Sequence, residues 1–310
     1  LYPDPTALKL RQRIAAIHRC SVENIFVGNG SDEILALCTR AFVEDGGSIG
    51  FFNPSYSLYP VLTTIRDVVA KPVELSHDFS WHMPHGYSTS LFFMANPNAP
   101  TGTLHDKKVV GRFCRRLRGV VVIDEAYVDF ARKNCMHLAL GLSNVLVVRT
   151  LSKAYSLAGL RIGYVVGSSS LVAALFKLKD SYNTDMIAQR LALAALSDLP
   201  HMRDNVRRIR NTRARLAHLL SDRGAFVYPS EANFLWVRPA AMPAKAFYEC
   251  LRAQRIMIRY FSGGRTSAFV RITVGTDAQV DKLVRAIDKM GLLTAPVAAG
   301  RKTVNRRDNQ

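Results

Sequence analysis

Nowhere does the 310-residue chain contain a run of about 18 uncharged apolar residues, the length a helix needs to cross a bilayer. Its opening, Leu1-Tyr2-Pro3-Asp4-Pro5, offers neither the basic segment nor the apolar stretch of a secretory leader. The expectation is a soluble, cytoplasmic protein. Cysteine is sparse and unpatterned: Cys20, Cys38, Cys114, Cys135 and Cys250 are odd in number and include no C-x-x-C pair, so they read as reduced thiols. Acidic residues are also scarce, with 24 Asp and Glu against 42 Lys and Arg for a formal charge of +18. That balance favours anionic ligands or nucleic acid by long-range attraction and says nothing about fold. The excess sits in Arg112 to Arg118, Arg203 to Arg215 and Arg301 to Arg307, without the interleaved aromatics that single-strand binding wants. Solvated helix faces and a basic tail account for it, and nucleic acid is not an expected partner.

With 48% hydrophobic residues, the chain can bury a sizeable core and is too long for one minimal domain. Seven β-rich runs come first: Ile25 to Val27, Ser48 to Phe52, Val68 to Leu75, Leu91 to Met94, Val120 to Asp124, Val145 to Arg149 and Arg161 to Val166. Near-continuous apolar strands alternating with helices predict an α/β fold with a mostly parallel sheet covered on both faces. After Asp180 the pattern changes to helices over Met186 to Ser197, Met202 to Arg223 and Ala244 to Gln254, with strands at Ala232 to Val237 and Val270 to Val274. The expected division is a large domain over residues 1–196, a smaller α+β domain over 197–294 and a disordered basic tail over 295–310. There is no internal repeat and no low-complexity segment.

In open α/β sheets ligands gather at the carboxyl ends of the strands, so the residues just beyond each strand matter most. Gly28-Asn29-Gly30-Ser31-Asp32-Glu33 comes after the first strand and opens an apolar helix. Free N–H groups at such a helix start make a phosphate cradle, and an ordinary glycine turn capped by Ser31 fits the same residues. The strand Val120 to Ile123 ends in Asp124-Glu125-Ala126-Tyr127. A carboxylate there suits a protonated pyridine nitrogen, because the anion keeps the ring cationic and electron-withdrawing; a loop cap is the plainer alternative. Asn96-Pro97-Asn98-Ala99-Pro100-Thr101-Gly102 is a run of turn formers at another strand end. Val145 to Arg149 leads into Ser152-Lys153, where small and hydroxylated neighbours and Arg161 eight positions on set Lys153 apart from a surface lysine.

These motifs, with S-K-x-x-x-L-A-G-L-R-x-G-Y and R-I-T-V-G-T, appear in the order and near the spacing of the class-II aminotransferases. The resemblance runs from Tyr2 to about Ala286, and VGNGSDEIL, DEAYVDF and RITVGT look most like the histidinol-phosphate branch. It implies a fold-type I pyridoxal 5′-phosphate enzyme, with a seven-stranded large domain and a smaller C-terminal one. The implied reaction moves the amino group of L-histidinol phosphate to 2-oxoglutarate, in histidine biosynthesis. Matching motif by motif, Lys153 carries the cofactor, Asp124 pairs with the pyridine nitrogen and Tyr127 hydrogen-bonds the phenolic oxygen. Ser31, Asp32, Ser152 and Arg161 hold the phosphate, and Tyr56 of Pro54-Ser55-Tyr56 stacks on the ring. Tyr2 matches a tyrosine that reaches the phosphate of a neighbouring subunit, which implies a homodimer. Arg271 matches the arginine that takes a substrate carboxylate, and Arg259 one that meets the phosphate of histidinol phosphate.

Two departures stand out. The residue before Pro100-Thr101-Gly102, an asparagine in the family, is Ala99, so Asn98 is the candidate substitute unless Tyr127 carries the contact alone. The sequence begins at Tyr-Pro-Asp, without the family's N-terminal arm, which suggests a fragment. The stretch from Ser76 to Ser90 is short and holds His77, His82 and His85 with Trp81, but no completing ligand, so no metal is expected. The rival readings are an aromatic amino-acid aminotransferase, a threonine-phosphate decarboxylase on the same scaffold, and a non-catalytic basic binding module.

Overall fold

The computed structural model describes residues 1–293. All seven early runs are strands: β1 Ile25–Asn29, β2 Ser48–Asn53, β3 Val69–Glu74, β4 Leu91–Ala95, β5 Val120–Asp124, β6 Val145–Thr150 and β7 Ile162–Gly167. They form one sheet in the order β1-β7-β6-β5-β4-β2-β3. The pairs β2/β3, β2/β4, β4/β5 and β5/β6 are parallel, whereas β7 runs antiparallel to both β6 and β1. The segment from Leu151 to Arg161 carries no crossover helix, so β7 must return antiparallel beside β6.

Helices cover both faces, which is why the strands read as unbroken apolar runs. On one face Phe92, Met94, Val121, Ile123, Val145 and Val147 pack against helices α1 (Leu8–His18), α4 (Lys107–Arg116), α5 (Met136–Gly141) and α7 (Met186–Ser197). On the other, Leu91, Phe93, Val122, Leu146 and Val148 meet α2 (Gly30–Phe42), α3 (Leu58–Arg66) and α6 (Ser169–Leu178). Successive residues of each central strand thus serve opposite cores. Each such side chain contributes about 1.5–3 kcal/mol by leaving water, so the strand ends are held rigidly.

The remaining chain builds a second sheet of β8 (Phe226–Val227), β9 (Phe234–Arg238), β10 (Arg259–Tyr260) and β11 (Val270–Thr273), antiparallel throughout in the order β10-β11-β9-β8. Helices α8 (Leu199–Ser221), α9 (Ala244–Ala253) and α10 (Asp277–Lys289) close a separate core containing Leu216, Leu235, Phe247, Val270 and Ile287. Helix α8 begins before the expected Met202, because Asp198 accepts the amide of His201 and Pro200 sits in the first turn. The expected strand at Ala232 starts at Phe234, and the two-residue strands β8 and β10 escaped the sequence reading because they are too short to show a period. The expected tail over 295–310 lies outside the described residues. Among the described residues no helix is long and apolar enough to cross a membrane.

Candidate active site

Strand ends β1, β5 and β6 and the start of β7 converge on one group of side chains. At the β1–α2 junction Gly30 adopts φ +78°, a left-handed value that suits glycine. The backbone is crowded here: a Cβ on Gly30 would lie 2.4 Å from Arg161 Nη2, and one on Gly163 would lie 2.5 Å from the Ser31 amide nitrogen. Gly163 is opposite Thr150 in the β6–β7 register, and Thr150 Oγ1 is 2.9 Å from Ser152 Oγ. Arg161 pairs with Asp32 at 3.4 Å. Ser31, Asp32, Ser152 and Arg161 therefore meet around the N-terminus of α2, where amide groups and a guanidinium favour an anion.

Asp124 ends β5 with 5% exposure. Its Oδ2 accepts the Tyr59 hydroxyl at 2.9 Å and its Oδ1 accepts the Ala126 amide at 3.1 Å. Burial pushes its pKa up to about 6; the two donors and the charge of Lys153 counter that rise, and the negative charge of Asp32 adds to it. Lys153 Nζ lies 5.4 Å from the centre of the Tyr127 ring. Tyr56 donates to Asp32 Oδ1 at 3.2 Å, and its ring meets Tyr59 edge-on at 5.6 Å. Burial, followed by the charge of Asp32, raises the Tyr56 pKa, which keeps it a donor.

The second sheet supplies the opposite wall. Tyr127 packs edge-on against Phe234 at 5.0 Å, and the Arg271 guanidinium carbon lies 4.9 Å from the Phe234 ring and 5.7 Å from Phe261. Arg271 Nε is buried without a hydrogen-bond partner. A buried donor left unpaired costs about 1–3 kcal/mol, which an incoming carboxylate would relieve. Arg259 stands opposite Arg271 in the β10–β11 register and is exposed, with its guanidinium 5.5 Å from Phe261.

Two expected residues are not brought into this group. Asn98 has 0% exposure, and its amide nitrogen donates to Pro54 O and Thr101 Oγ1 while its oxygen accepts from Ser55. Both ends of the carboxamide thus hydrogen-bond within the loop. Ala99 itself is buried against Ala232 and Phe234, with Tyr127 packed on the same cluster. Tyr2 is 79% exposed and stacks on Tyr182 at 4.6 Å, with no hydrogen bond among the described residues.

Tyr59 was missed by the sequence reading; its only signal was its place three residues after Tyr56, one helical turn on. Glu125, next to Asp124, faces the other way and receives Arg149 Nε and Nη2 at 2.9 and 2.8 Å. Strand alternation separates the two carboxylates into a site group and a structural ion pair. Trp81 packs on Phe52 and Phe113, while His82 and His85 line a groove of about 490 Å³ beside it. Among the described residues no cluster of His, Cys, Asp and Glu could hold a metal ion.

The family model for aminotransferase class I and II matches residues 1–287. The histidinol-phosphate aminotransferase of Citrifermentans bemidjiense is 37% identical over 291 residues, covering 94% of this chain and 83% of that protein. The one from Synechocystis is 37% identical, covering 93% and 82%. Among solved structures, histidinol-phosphate aminotransferase from Sinorhizobium meliloti in complex with pyridoxal-5′-phosphate superposes with a TM-score of 0.84 at 26% identity, over 94% of this chain and 84% of that one. The chain belongs to the class I and II aminotransferase family.

Proposed function

We propose that this protein is a pyridoxal 5′-phosphate-dependent transaminase that moves the amino group of L-histidinol phosphate to 2-oxoglutarate, giving imidazole-acetol phosphate and glutamate. The observation that carries the reading is the buried Asp124 carboxylate, influenced by the nearby charge of Lys153 and held by two donors at a strand end. The residues fit the cofactor: a crowded anion cradle around Gly30 and Gly163 suits a phosphate, the buried Asp124 carboxylate suits a protonated ring nitrogen, and Lys153 stands beside Tyr127.

When bound, the cofactor supplies an electron sink through its cationic pyridine ring. Lys153 Nζ, beside the Tyr127 ring, would anchor the cofactor and would serve as the base that holds and moves the proton of the amine-bearing carbon. Asp124 would keep the ring nitrogen protonated, and the Tyr127 hydroxyl would hold the phenolic oxygen, a contact Ala99 has no polar group to share. Ser31, Ser152 and Arg161 hold the phosphate; Asp32 contributes its position at the helix start and orients both Arg161 and Tyr56. Tyr56 covers the ring. Arg271 takes the carboxylate of 2-oxoglutarate or glutamate, relieving its unpaired Nε, and Arg259 meets the phosphate of the amine substrate through its permanently charged fork. The protein works as a cytoplasmic homodimer in which the exposed Tyr2 reaches the phosphate cradle of the second copy.

The test is the visible spectrum of the purified protein with pyridoxal phosphate, with Lys153→Ala as control. A lysine-dependent band that L-histidinol phosphate bleaches faster than L-phenylalanine supports the reading. Faster bleaching by phenylalanine would make it an aromatic aminotransferase, release of carbon dioxide from threonine phosphate a decarboxylase, and absence of any band would end the enzymatic reading.

A further inference from the structure

Asp124 occupies a position at which an isolated carboxylate would not stay ionised. It is buried, the negative Asp32 of α2 raises its pKa further, and the positive charge of Lys153 after β6 counters both. Tyr59 of α3 and Tyr56, two residues before that helix, face it, and Tyr127 lies on its own segment. Two hydrogen bonds counter its burial. One, from the Ala126 amide, is fixed by the backbone two residues away. The other comes from a side chain on a different element, and that side chain is itself locked.

Tyr59 has 0% exposure. Its ring stacks on Phe93 at 5.0 Å and 12°, and Tyr56 closes its edge at 5.6 Å and 89°. The hydroxyl therefore has one place to go, 2.9 Å from Asp124 Oδ2. Burial, with Asp124 next in effect, raises the Tyr59 pKa well above its ordinary value, so the phenol stays protonated and can only donate to the carboxylate. Meanwhile Tyr56, three residues earlier and just before the helix, donates to Asp32, the carboxylate that works against Asp124. The loop before α3 and the first turn of α3 thus send one phenol to each of the two acids.

We propose that Tyr59 is a positioning residue for Asp124: its hydroxyl holds the carboxylate ionised and turned so that its remaining lone pairs meet the ring nitrogen of the cofactor. Tyr59 itself touches neither cofactor nor substrate. The proposal rests on the reading of Asp124 given above. Loss of the hydroxyl leaves Asp124 buried with one donor instead of two, and the shared proton then moves from the ring nitrogen towards the carboxylate. The ring becomes a weaker electron sink, while the phosphate cradle, Lys153 and Arg271 are untouched.

The test uses the holoenzyme carrying cofactor labelled with ¹⁵N in the pyridine ring, in wild type, Tyr59→Phe and Asp124→Ala, followed by NMR across the neutral pH range. Tyr59→Phe keeps the stacked ring and removes only the hydroxyl, and Tyr59→His, a smaller side chain that keeps a donor, serves as partial rescue. The expected result is a protonated nitrogen in wild type and an unprotonated one in Asp124→Ala. In Tyr59→Phe the share of protonated nitrogen falls across the whole neutral range, the ratio of protonated to unprotonated ring shifting by about tenfold or more as the proton passes to the carboxylate. The turnover rate falls with it while KM for the amine stays near wild type, and histidine restores part of both. A Tyr59→Phe protein with the wild-type nitrogen signal, beside an Asp124→Ala protein that has lost it, overturns the role of Tyr59 alone. A protonated nitrogen in Asp124→Ala overturns the reading of Asp124 and this proposal with it. Should Tyr59→Phe fail to fold, Tyr59→Leu, which likewise lacks the hydroxyl, takes its place in the same comparison.

Discussion

Gly163→Ala is the smallest change that tests the phosphate cradle. The added methyl would stand 2.5 Å from the Ser31 amide nitrogen and 2.6 Å from the Gly30 carbonyl carbon, both backbone atoms. Ordinary contact begins near 3.4 Å, so roughly 0.9 Å must be opened. Strand β7 cannot supply it, because Gly163 is paired with Gly28 on one side and Thr150 on the other. The start of α2 must retreat instead, carrying the Ser31 amide away from the bound phosphate. Overpacking of this kind costs about 1–3 kcal/mol of stability. Losing one amide bond to a charged oxygen costs a similar amount, about 1.5–3 kcal/mol, which weakens cofactor binding roughly ten- to hundredfold. Fluorescence titration of the cofactor-free protein with pyridoxal phosphate reads the second effect, and denaturant unfolding reads the first. A Gly163→Ala protein that binds the cofactor within about twofold of wild type would refute the placement of the phosphate against this helix start.

The other predictions concern single charges. Asp124→Asn should stabilise the cofactor-free protein at neutral pH. Burial raises Asp124 from 3.8 to about 6, so the folded state holds a proton that the unfolded state has released, and stability falls as pH rises through that window. The gain is up to about 3 kcal/mol near neutrality, shrinks to nothing below the unfolded value, and is checked by urea unfolding at several pH values. Arg271→Ala should raise KM for 2-oxoglutarate by a hundredfold or so while leaving the cofactor band in place, because a charged bidentate contact is lost and the cradle is not; an unchanged KM counts against the carboxylate site. Glu125→Ala should cost about 3–5 kcal/mol, since it strands the Arg149 guanidinium in the interior, and thermal unfolding tests this directly.

Most of the large sheet was legible in the sequence, because a strand buried on both faces has no choice but to be apolar at every position. The same rule made strand ends stand out, so Asp124, Lys153 and the Gly30 turn could be named from their neighbours. Short strands such as β8 and β10 carry too few residues to show a pattern. The fate of Asn98 was also hidden: its composition fits a cofactor contact, and only the fold reveals that Pro54, Ser55 and Thr101 claim its amide. Tyr59 was invisible for a related reason, since a tyrosine on an apolar helix face reads as packing until the partner of its hydroxyl is known. Arg271 was named from its motif, but the unpaired Nε that makes it receptive appears only once Phe234 and Phe261 are seen around it.

The most direct test of the central claim measures product. Wild-type protein loaded with pyridoxal phosphate is incubated with L-histidinol phosphate and 2-oxoglutarate, and glutamate is quantified against Lys153→Ala. The predicted result is one glutamate for each imidazole-acetol phosphate formed, over many turnovers, and none from Lys153→Ala. Bound cofactor with no glutamate, or equal glutamate from Lys153→Ala, would contradict it.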